Sequence, residues 1–204
     1  AAGLMHSLIY FSFLVLLAVT TILEINHQVP ESMKFLHGTV YQGYSFIGDL
    51  AGLLLTIGVG WAIVRRYVAR PYRIRIKTKA DHALGLGTLF VLAISGLLTE
   101  AWRIAQTGRP EIEKWAFVSW PISGWIDGMD NLSGGHQAWW LLHVGTFVLF
   151  LAILPITMLR HMFTSPLNMY LKDKERPKGA MRPMPNLMET ELESFGASTI
   201  EEFT

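Results

Sequence analysis

Seven histidines are the residues of this 204-residue sequence best suited to bind a metal or a cofactor. Three of them, His6, His143 and His161, lie in or beside long apolar stretches, where ionisable side chains are costly and commonly functional. On one continuous helix, His143 and His161 would share a face and differ in depth by about 27 Å. His6 begins the first apolar stretch at the depth expected for His161, so these two residues could hold one haem iron between them.

Two other interpretations of these histidines stay open. A lone histidine near the end of a spanning helix is often an interface residue that binds nothing, with its polar edge in water. A transition-metal site is the second, because imidazole is a common metal ligand. It would need more ligands at one depth than the sequence supplies, so the matched depths favour haem.

Four apolar stretches are long enough to position these histidines across a bilayer, which takes about 20 residues of helix. They cover residues 1–23, 44–64, 82–99 and 137–159. Charged residues make up only 16% of the sequence, where about a quarter is usual in a soluble domain. The predicted fold class is therefore an all-α membrane protein with a four-transmembrane-helix bundle in residues 1–170. Residues 171–204, which are rich in proline and charge, are predicted to form a cytoplasmic linker.

The connections between these stretches differ in charge. Short loops rich in Lys and Arg stay in the cytoplasm, so both ends of this multi-pass segment are predicted to be cytoplasmic. The loops at 24–43 and 100–136 are poor in Lys and Arg and are predicted to face outward. The basic residues are Arg65, Arg66, Arg70, Arg73, Arg75, Lys77 and Lys79 before span three, and Arg160, Lys172, Lys174, Arg176, Lys178 and Arg182 after span four.

The sequence contains no cysteine, which excludes a zinc–thiolate site and an iron–sulfur cluster ligated by these residues. It begins with Ala1 rather than Met, and we expect it to be a piece of a longer chain. The lipid bilayer is the expected surrounding, and no nucleic-acid partner is expected. Trp115, Trp120 and Trp125 in the outer loop suggest either an aromatic belt at the membrane surface or a lid over a ligand site.

Two segments of the sequence resemble a known family. Residues 143–145 and 154–161, with Pro155 between the histidines, resemble the last helix of the respiratory nitrate reductase gamma subunit, and residues 3–6 resemble its partner helix. The resemblance leaves open whether a first helix of that bundle is missing here. Residues 165–168, 193–197 and 201–203 resemble the joint to a heterodisulfide-reductase-like iron–sulfur domain, as in membrane electron-transfer-flavoprotein:menaquinone oxidoreductases.

The resemblance implies two b-type haems. It assigns His6 and His161 to a proximal haem near the cytoplasm and His143 to a distal one. The second distal ligand should stand where this sequence has Leu16, so one haem or two is left open. Of the remaining candidates His37, His27 and His136, we choose His37 because it enters span two. His82 is either a contact of a haem propionate or a solvated interface residue.

Quinone chemistry needs titratable groups near the outer face. Asp49 lies inside span two, and Glu100 and Arg103 end span three. We interpret Asp49 or Glu100 as proton-exchange groups and Arg103 as a residue that orients a quinone carbonyl. The alternative is that these charges pair to anchor helix ends.

Together these features predict the membrane part of a quinone-linked oxidoreductase in a bacterial or archaeal cell membrane. Electrons would pass between menaquinone and an iron–sulfur or electron-transfer-flavoprotein partner, whether fused or separate. The first alternative is a membrane subunit of a heterodisulfide-reductase-like or sulfite-reductase-associated menaquinol-oxidising complex. The second, of another class, is a haem-free membrane anchor or small transporter.

Overall fold

The computed structural model describes residues 2–72 and 78–172. Within these ranges the chain is helical and contains no strand. Residues up to His161 form one compact unit, and the described part of a second unit begins at Met162. The helices are α1 (Ala2–Gln28), α2 (Gly38–Ile63), α3 (Ala80–Gln106), α4 (Ser119–Ile126), α5 (Leu132–Ile153) and α6 (His161–Leu171).

Four of these helices are long and apolar enough to cross a membrane, namely α1, α2, α3 and α5. Helix α2 continues as a π-helical segment over Val64–Ala69. The predicted all-α fold with four transmembrane helices is confirmed. Helix α3 runs beyond Glu100 and Arg103, which were expected to end it, because these two side chains pair with each other along the helix surface.

Neighbouring spans are antiparallel and approach closely at glycines. A Cβ atom at Gly58 of α2 would lie 2.9 Å from Ile9 Cγ1 of α1, and one at Gly52 would lie 2.9 Å from Leu97 Cδ2 of α3. A Cβ atom at Gly96 of α3 would lie 3.2 Å from the ring of His143 on α5. Small residues of this kind let membrane helices pack backbone against backbone.

The two ends of the bundle are named here by their connections. The long-loop end carries residues 29–37 and 107–131, and the basic-loop end carries the described residues 70–72 and 78–79. Arg73, Arg75 and Lys77 lie outside the described residues, as do Lys174, Arg176, Lys178 and Arg182. Nearly all of the predicted linker 171–204 lies there too, so its boundary stays a prediction.

The expected continuous helix through His161 is not found. Helix α5 ends at Ile153, and a short 3₁₀ turn over Met158–Arg160 precedes α6. Pro155 explains the break, because it has no backbone N–H and its ring excludes the carbonyl of Leu151 from normal helix geometry. The whole-turn spacing of His143 and His161 therefore does not set their positions.

The connection from 107 to 131 folds back into the bundle. Ser119, at the start of α4, contacts Asp49, which lies about three turns inside α2, or roughly 16 Å from its first residue. Backbone at that depth must be buried in protein when no water is present. Ala116, Ser119 and Ser123 are indeed fully buried.

We expect Gly58→Ala to weaken the contact between α1 and α2. The added methyl group would meet not only Ile9 Cγ1 but also the Ile9 backbone nitrogen at 3.2 Å, which a rotamer change cannot relieve. Overpacking of this kind costs about 1–3 kcal/mol. Thermal unfolding in detergent measures the change, and Gly87→Ala, which adds its methyl group to open space in α3, is the matched control. Equal melting temperatures for the two variants would contradict this packing.

Candidate functional site

The depth of each histidine follows from the glycine contacts along α3. His143 packs on Gly96, and Leu159 packs on Gly85 with its Cγ 3.3 Å from an added Cβ. These glycines are about three turns apart, so Leu159 lies roughly 16 Å from His143 along the bundle. An unbroken helix would have placed it about 24 Å away. The break at Pro155 therefore brings the His161 end closer to His143 than the sequence predicts.

His6 and the segment before His161 lie at similar depths near the basic-loop end. Gly58 contacts Ile9, and Gly60 of the same helix contacts Phe90 of α3, which ties the depth of α1 to that of α3. Helical rise from these contacts puts His6 and Leu159 within about 6 Å in depth. His161 lies two residues beyond Leu159, so His6 and His161 differ in depth by roughly 9 Å on this estimate.

The rings of His6 and His161 are held in the same way. Nδ1 of His6 lies 3.0 Å from the carbonyl oxygen of Ala2, and Nδ1 of His161 contacts the carbonyl oxygen of Met158. A carbonyl only accepts, so each Nδ1 carries the proton and each Nε2 keeps its lone pair. Metal-binding histidines are commonly fixed by such a bond from the second ring nitrogen. Both residues are exposed in the structure.

His143 lies about midway along α5 and has a different environment. Its Nδ1 is 3.0 Å from Ser95 Oγ, and Ser95 is 1% exposed. On α1 the same depth falls near Val15 and Leu16, because Gly48 and Gly58 contact Val19 and Ile9 on either side of Gly52. Neither residue can bind a metal.

The other histidines lie away from His143. His37 precedes α2, roughly 21 Å from Gly52 along the axis, and His27 lies about 16 Å from Leu16 on α1. His136 is about two turns from His143 on the same helix. His82 Nδ1 lies 2.8 Å from Asp81 and helps to cap α3. In residues 2–72 and 78–172, no three His, Cys, Asp or Glu side chains are grouped to hold a metal ion.

Asp49 holds the start of α4. Its Oδ2 accepts hydrogen bonds from the backbone nitrogens of Val118 and Ser119, the latter at 3.2 Å. Its Oδ1 accepts from Ser119 Oγ at 2.6 Å. The carboxylate thus faces the positive end of a helix, where an anion is stabilised. These hydrogen bonds explain how Asp49, which is only 5% exposed, can lie within a spanning helix.

Glu100 and Arg103 belong to a second polar cluster nearer the long-loop end. Arg103 donates two hydrogen bonds to Glu100 and one to Glu113, the latter at 2.8 Å. Tyr41 of α2 receives a bond from Arg103 at 2.9 Å and donates to Glu113 at 2.9 Å. Glu113 is 3% exposed. The cluster therefore fixes the loop segment Glu111–Trp115 to α2 and α3.

The outer-loop tryptophans divide into two groups. Trp120 lies under the guanidinium of Arg109, with 4.5 Å from Cζ to the ring centroid. Trp125 is 80% exposed, and Trp115 is also exposed. Phe117 extends this aromatic surface to Phe46 of α2, with ring centroids 5.4 Å apart. Exposed rings beside a spanning helix suit the membrane–water interface.

Comparison with known proteins places this arrangement in a family. Residues 6–176 match the family described as nitrate reductase gamma subunit. The chain belongs to this family. The resemblance found in the sequence is thereby confirmed, and the four antiparallel spans are the bundle of a family member.

Two curated relatives match this gamma-family chain over 99% of its length. It is 31% identical to the EtfAB:quinone oxidoreductase of Syntrophomonas wolfei subsp. wolfei (strain DSM 2245B / Goettingen). It is 28% identical to the probable iron-sulfur-binding oxidoreductase FadF of Bacillus subtilis (strain 168). The chain covers 29% and 28% of these proteins, so it spans less than a third of their length. No solved structure matches it.

The sequence did not indicate several residues of the polar clusters around Asp49 and Arg103. Glu113, Tyr41 and Ser119 contact Arg103 or Asp49 across the fold, and no local pattern marks them. The pair Ser95-Gly96 could have been noticed, because two small residues in span three leave room for a ring from a neighbouring helix.

We expect Asp49→Asn to loosen the folded-back loop. The amide NH₂ that replaces one carboxylate oxygen would face donors from Val118 or Ser119, so a buried hydrogen bond would be lost. Such a loss costs about 1–3 kcal/mol. The measurements are the melting temperature and the rate of proteolysis in residues 107–131. Asp127→Asn, at the exposed end of α4, is the control, and an equal effect of both substitutions would show that Asp49 does not anchor the loop.

Proposed function

We propose that this chain is the membrane electron-transfer module of a quinone-linked oxidoreductase and carries haem b between His6 and His161. The observation that carries the proposal is the shared geometry of these two residues. They come from different segments near the basic-loop end, and each has its Nδ1 bonded to a backbone carbonyl. Membership of the nitrate reductase gamma family supports the same assignment.

The residues of the chain prepare this site before any cofactor binds. The Ala2 and Met158 carbonyls fix the tautomer of each ring, so Nε2 is the atom available to iron. Haem bound by two histidines supplies one-electron transfer and leaves no open iron position for oxygen chemistry. Phe13 and Phe150, with ring centroids 5.5 Å apart, close the space between α1 and α5 on the side toward the long-loop end.

We propose one haem rather than two. A distal haem would use His143 and, as the sequence suggested, His37, but these residues differ in depth by roughly 21 Å. Two histidines that hold one haem iron would have to lie at similar depths in the bundle. A protein with a distal haem would have to move the loop before α2 deep into the bundle.

We interpret Asp49, Glu100 and Arg103 as anchors of the folded-back loop rather than as groups that exchange protons with quinone. Each has its charge satisfied by the contacts described above, and proton exchange would break them. Quinone-linked haem oxidation that is unchanged in correctly folded Asp49→Asn would support this interpretation. Slowed oxidation with an intact loop would instead return Asp49 to the quinone mechanism.

The names of the relatives guide the proposed partners. One is an EtfAB:quinone oxidoreductase and the other a probable iron-sulfur-binding oxidoreductase. We propose that electrons pass between menaquinone and an iron–sulfur centre of the heterodisulfide-reductase type, with electron-transfer flavoprotein as a further partner. This sequence has no cysteine, so the cysteine ligands of such a centre must come from outside it, in the same protein or in another chain. We place both ends of the segment in the cytoplasm of a bacterium or archaeon, because Arg65, Arg66 and Arg70 lie at the basic-loop end.

A visible spectrum of the purified protein tests the proposal. We expect absorption bands of haem b that shift when dithionite is added, with about one haem per chain by pyridine haemochrome. A measured content of two haems per chain would contradict the proposal of a single haem and support a distal haem site. A protein without any haem band would instead be the haem-free anchor or transporter.

A further inference from the structure

Helix α6 is amphipathic, although none of its residues is buried. With 3.6 residues per turn, its polar side chains fall within a sector of about 100°, and every other residue of the helix lies outside that sector. The polar side chains are those of His161, Thr164, Ser165 and Asn168. On the other side, Phe163, Leu167 and Tyr170 are each more than half exposed. The helix therefore has a continuous apolar face that is exposed in the part of the chain that the structure describes.

The dimensions of α6 limit what can cover this face. A contiguous exposed apolar surface marks a site of contact with protein or membrane. The helix has 11 residues and is about 16 Å long, so it cannot cross a hydrocarbon core of about 30 Å. Pro166 lies inside the helix and offers no N–H to the carbonyl of Met162. Water can satisfy that carbonyl at the boundary of a bilayer but not in its hydrocarbon core.

The start of α6 lies next to a membrane-spanning segment. Helix α5 ends at Ile153, and Leu159, shortly before α6, packs on Gly85 near the start of α3. Ile156 is 77% exposed and extends the lipid-facing surface of α5 toward α6. The bilayer is therefore the apolar phase within reach of the exposed face.

The charge around α6 complements an anionic membrane surface. Arg160 precedes the helix and Lys172 follows it, and the sequence has no acidic residue between Asp130 and Asp173. Basic residues beside a membrane surface are attracted to anionic lipid head groups. An amphipathic helix with aromatic residues on its apolar face and basic residues near its polar face is typical of helices that lie in the interface plane.

We propose that α6 is an interfacial helix that lies on the bilayer surface at the basic-loop end and binds anionic phospholipids. Phe163, Leu167 and Tyr170 enter the boundary between head groups and acyl chains, and Asn168 faces water. The contact would hold His161, the first residue of the helix, at the membrane surface. The inference concerns how the chain leaves the membrane and does not depend on haem.

Single cysteine labels can test this inference, because the sequence contains no cysteine. The full chain is placed in lipid nanodiscs of phosphatidylcholine and phosphatidylglycerol and labelled with the fluorophore NBD. The label of Leu167→Cys should be quenched by nitroxide-bearing lipids and shielded from aqueous iodide, and the label of Asn168→Cys should behave in the opposite way. Val148→Cys, on an exposed position of α5, and Asp127→Cys, at the exposed end of α4, are the lipid and water references.

A second set of variants measures the strength of the contact, with the label at Tyr170→Cys. Leu167→Asp should lower the ratio of membrane-bound to free α6 at least about tenfold, because one large apolar side chain is lost from the interface. Asn168→Asp adds the same charge on the polar face and should change the ratio much less. Lys172→Ala should lower the ratio about fivefold in nanodiscs with phosphatidylglycerol and leave it unchanged in phosphatidylcholine alone.

Two results would overturn the inference. Equal quenching at Leu167→Cys and Asn168→Cys would show that α6 has no lipid-facing side, and a Leu167→Cys label shielded from both quenchers would show that protein covers the face. Since no residue of α6 is buried, these variants should keep the melting temperature of the unsubstituted protein. The fluorescence measurement needs no haem, so a haem-free protein would contradict the proposed function and leave this test intact.

Discussion

Replacing His6 or His161 by alanine is expected to remove the haem from the protein. Each substitution deletes one of the two histidines proposed to hold the iron. His82, at the start of α3, lies near the same end of the bundle, but its ring is bonded to Asp81. Changes in residues that merely orient a ligand cost about 10–100-fold in metal affinity, so loss of the ligand itself should cost at least as much. Haem per chain by pyridine haemochrome should fall at least about tenfold in each variant.

His27→Ala is the matched control for this experiment. His27 lies on the same helix as His6 but at its opposite end, and it is exposed. It should keep its haem. Free imidazole added to His6→Gly should restore haem binding, because it fills the space that the side chain leaves. Full haem in both His6→Ala and His161→Ala would disprove the proposed site.

Arg103→Met is expected to be the most destabilising single change in the polar clusters. The substitution leaves Glu113, whose side chain is only 4% exposed, without its cationic partner. Breaking a buried ion pair by removing one partner costs about 3–5 kcal/mol. The melting temperature in detergent should fall by roughly 10 °C, and residues 107–131 should become sensitive to protease.

A surface ion pair in the same loop provides the control. Lys114 pairs with Glu111, and both side chains are exposed, so Lys114→Met should cost less than about 1 kcal/mol. Adding Glu113→Gln to Arg103→Met should recover part of the loss, because the stranded charge is then removed. If the Arg103→Met and Lys114→Met variants have the same melting temperature, the buried cluster does not hold the loop.

For the histidines, the sequence was enough to select candidate residues but not to predict their positions along the bundle. His6, His143 and His161 were singled out from their apolar context, from the spacing of His143 and His161 and from the family resemblance, and their roles as ligands stay predictions. The separation in depth between His143 and His161 was not predicted correctly, because a continuous helix through Pro155 was expected. A proline can kink a membrane helix or end it, and contacts with neighbouring helices decide between the two. Here Leu159 packs on Gly85, which requires the shorter path.

The charges in the spans give the same lesson. The sequence showed that placing the charges of Asp49, Glu100 and Arg103 in or beside spanning segments costs free energy. It offered two explanations for them, proton exchange or anchoring. The contacts with Ser119 and Glu113 join residues that are far apart in the chain. No periodicity in either segment indicates such a pairing.

The sequence by itself determined that this is a four-span membrane protein of the nitrate reductase gamma family. The length and apolarity of each span are sums over neighbouring residues, so they can be read locally. Only the tertiary structure decided that residues 107–131 fold back to Asp49 and that the helix of span four ends between His143 and His161. Those features depend on how closely glycines let the helices approach, which is a property of pairs of distant segments.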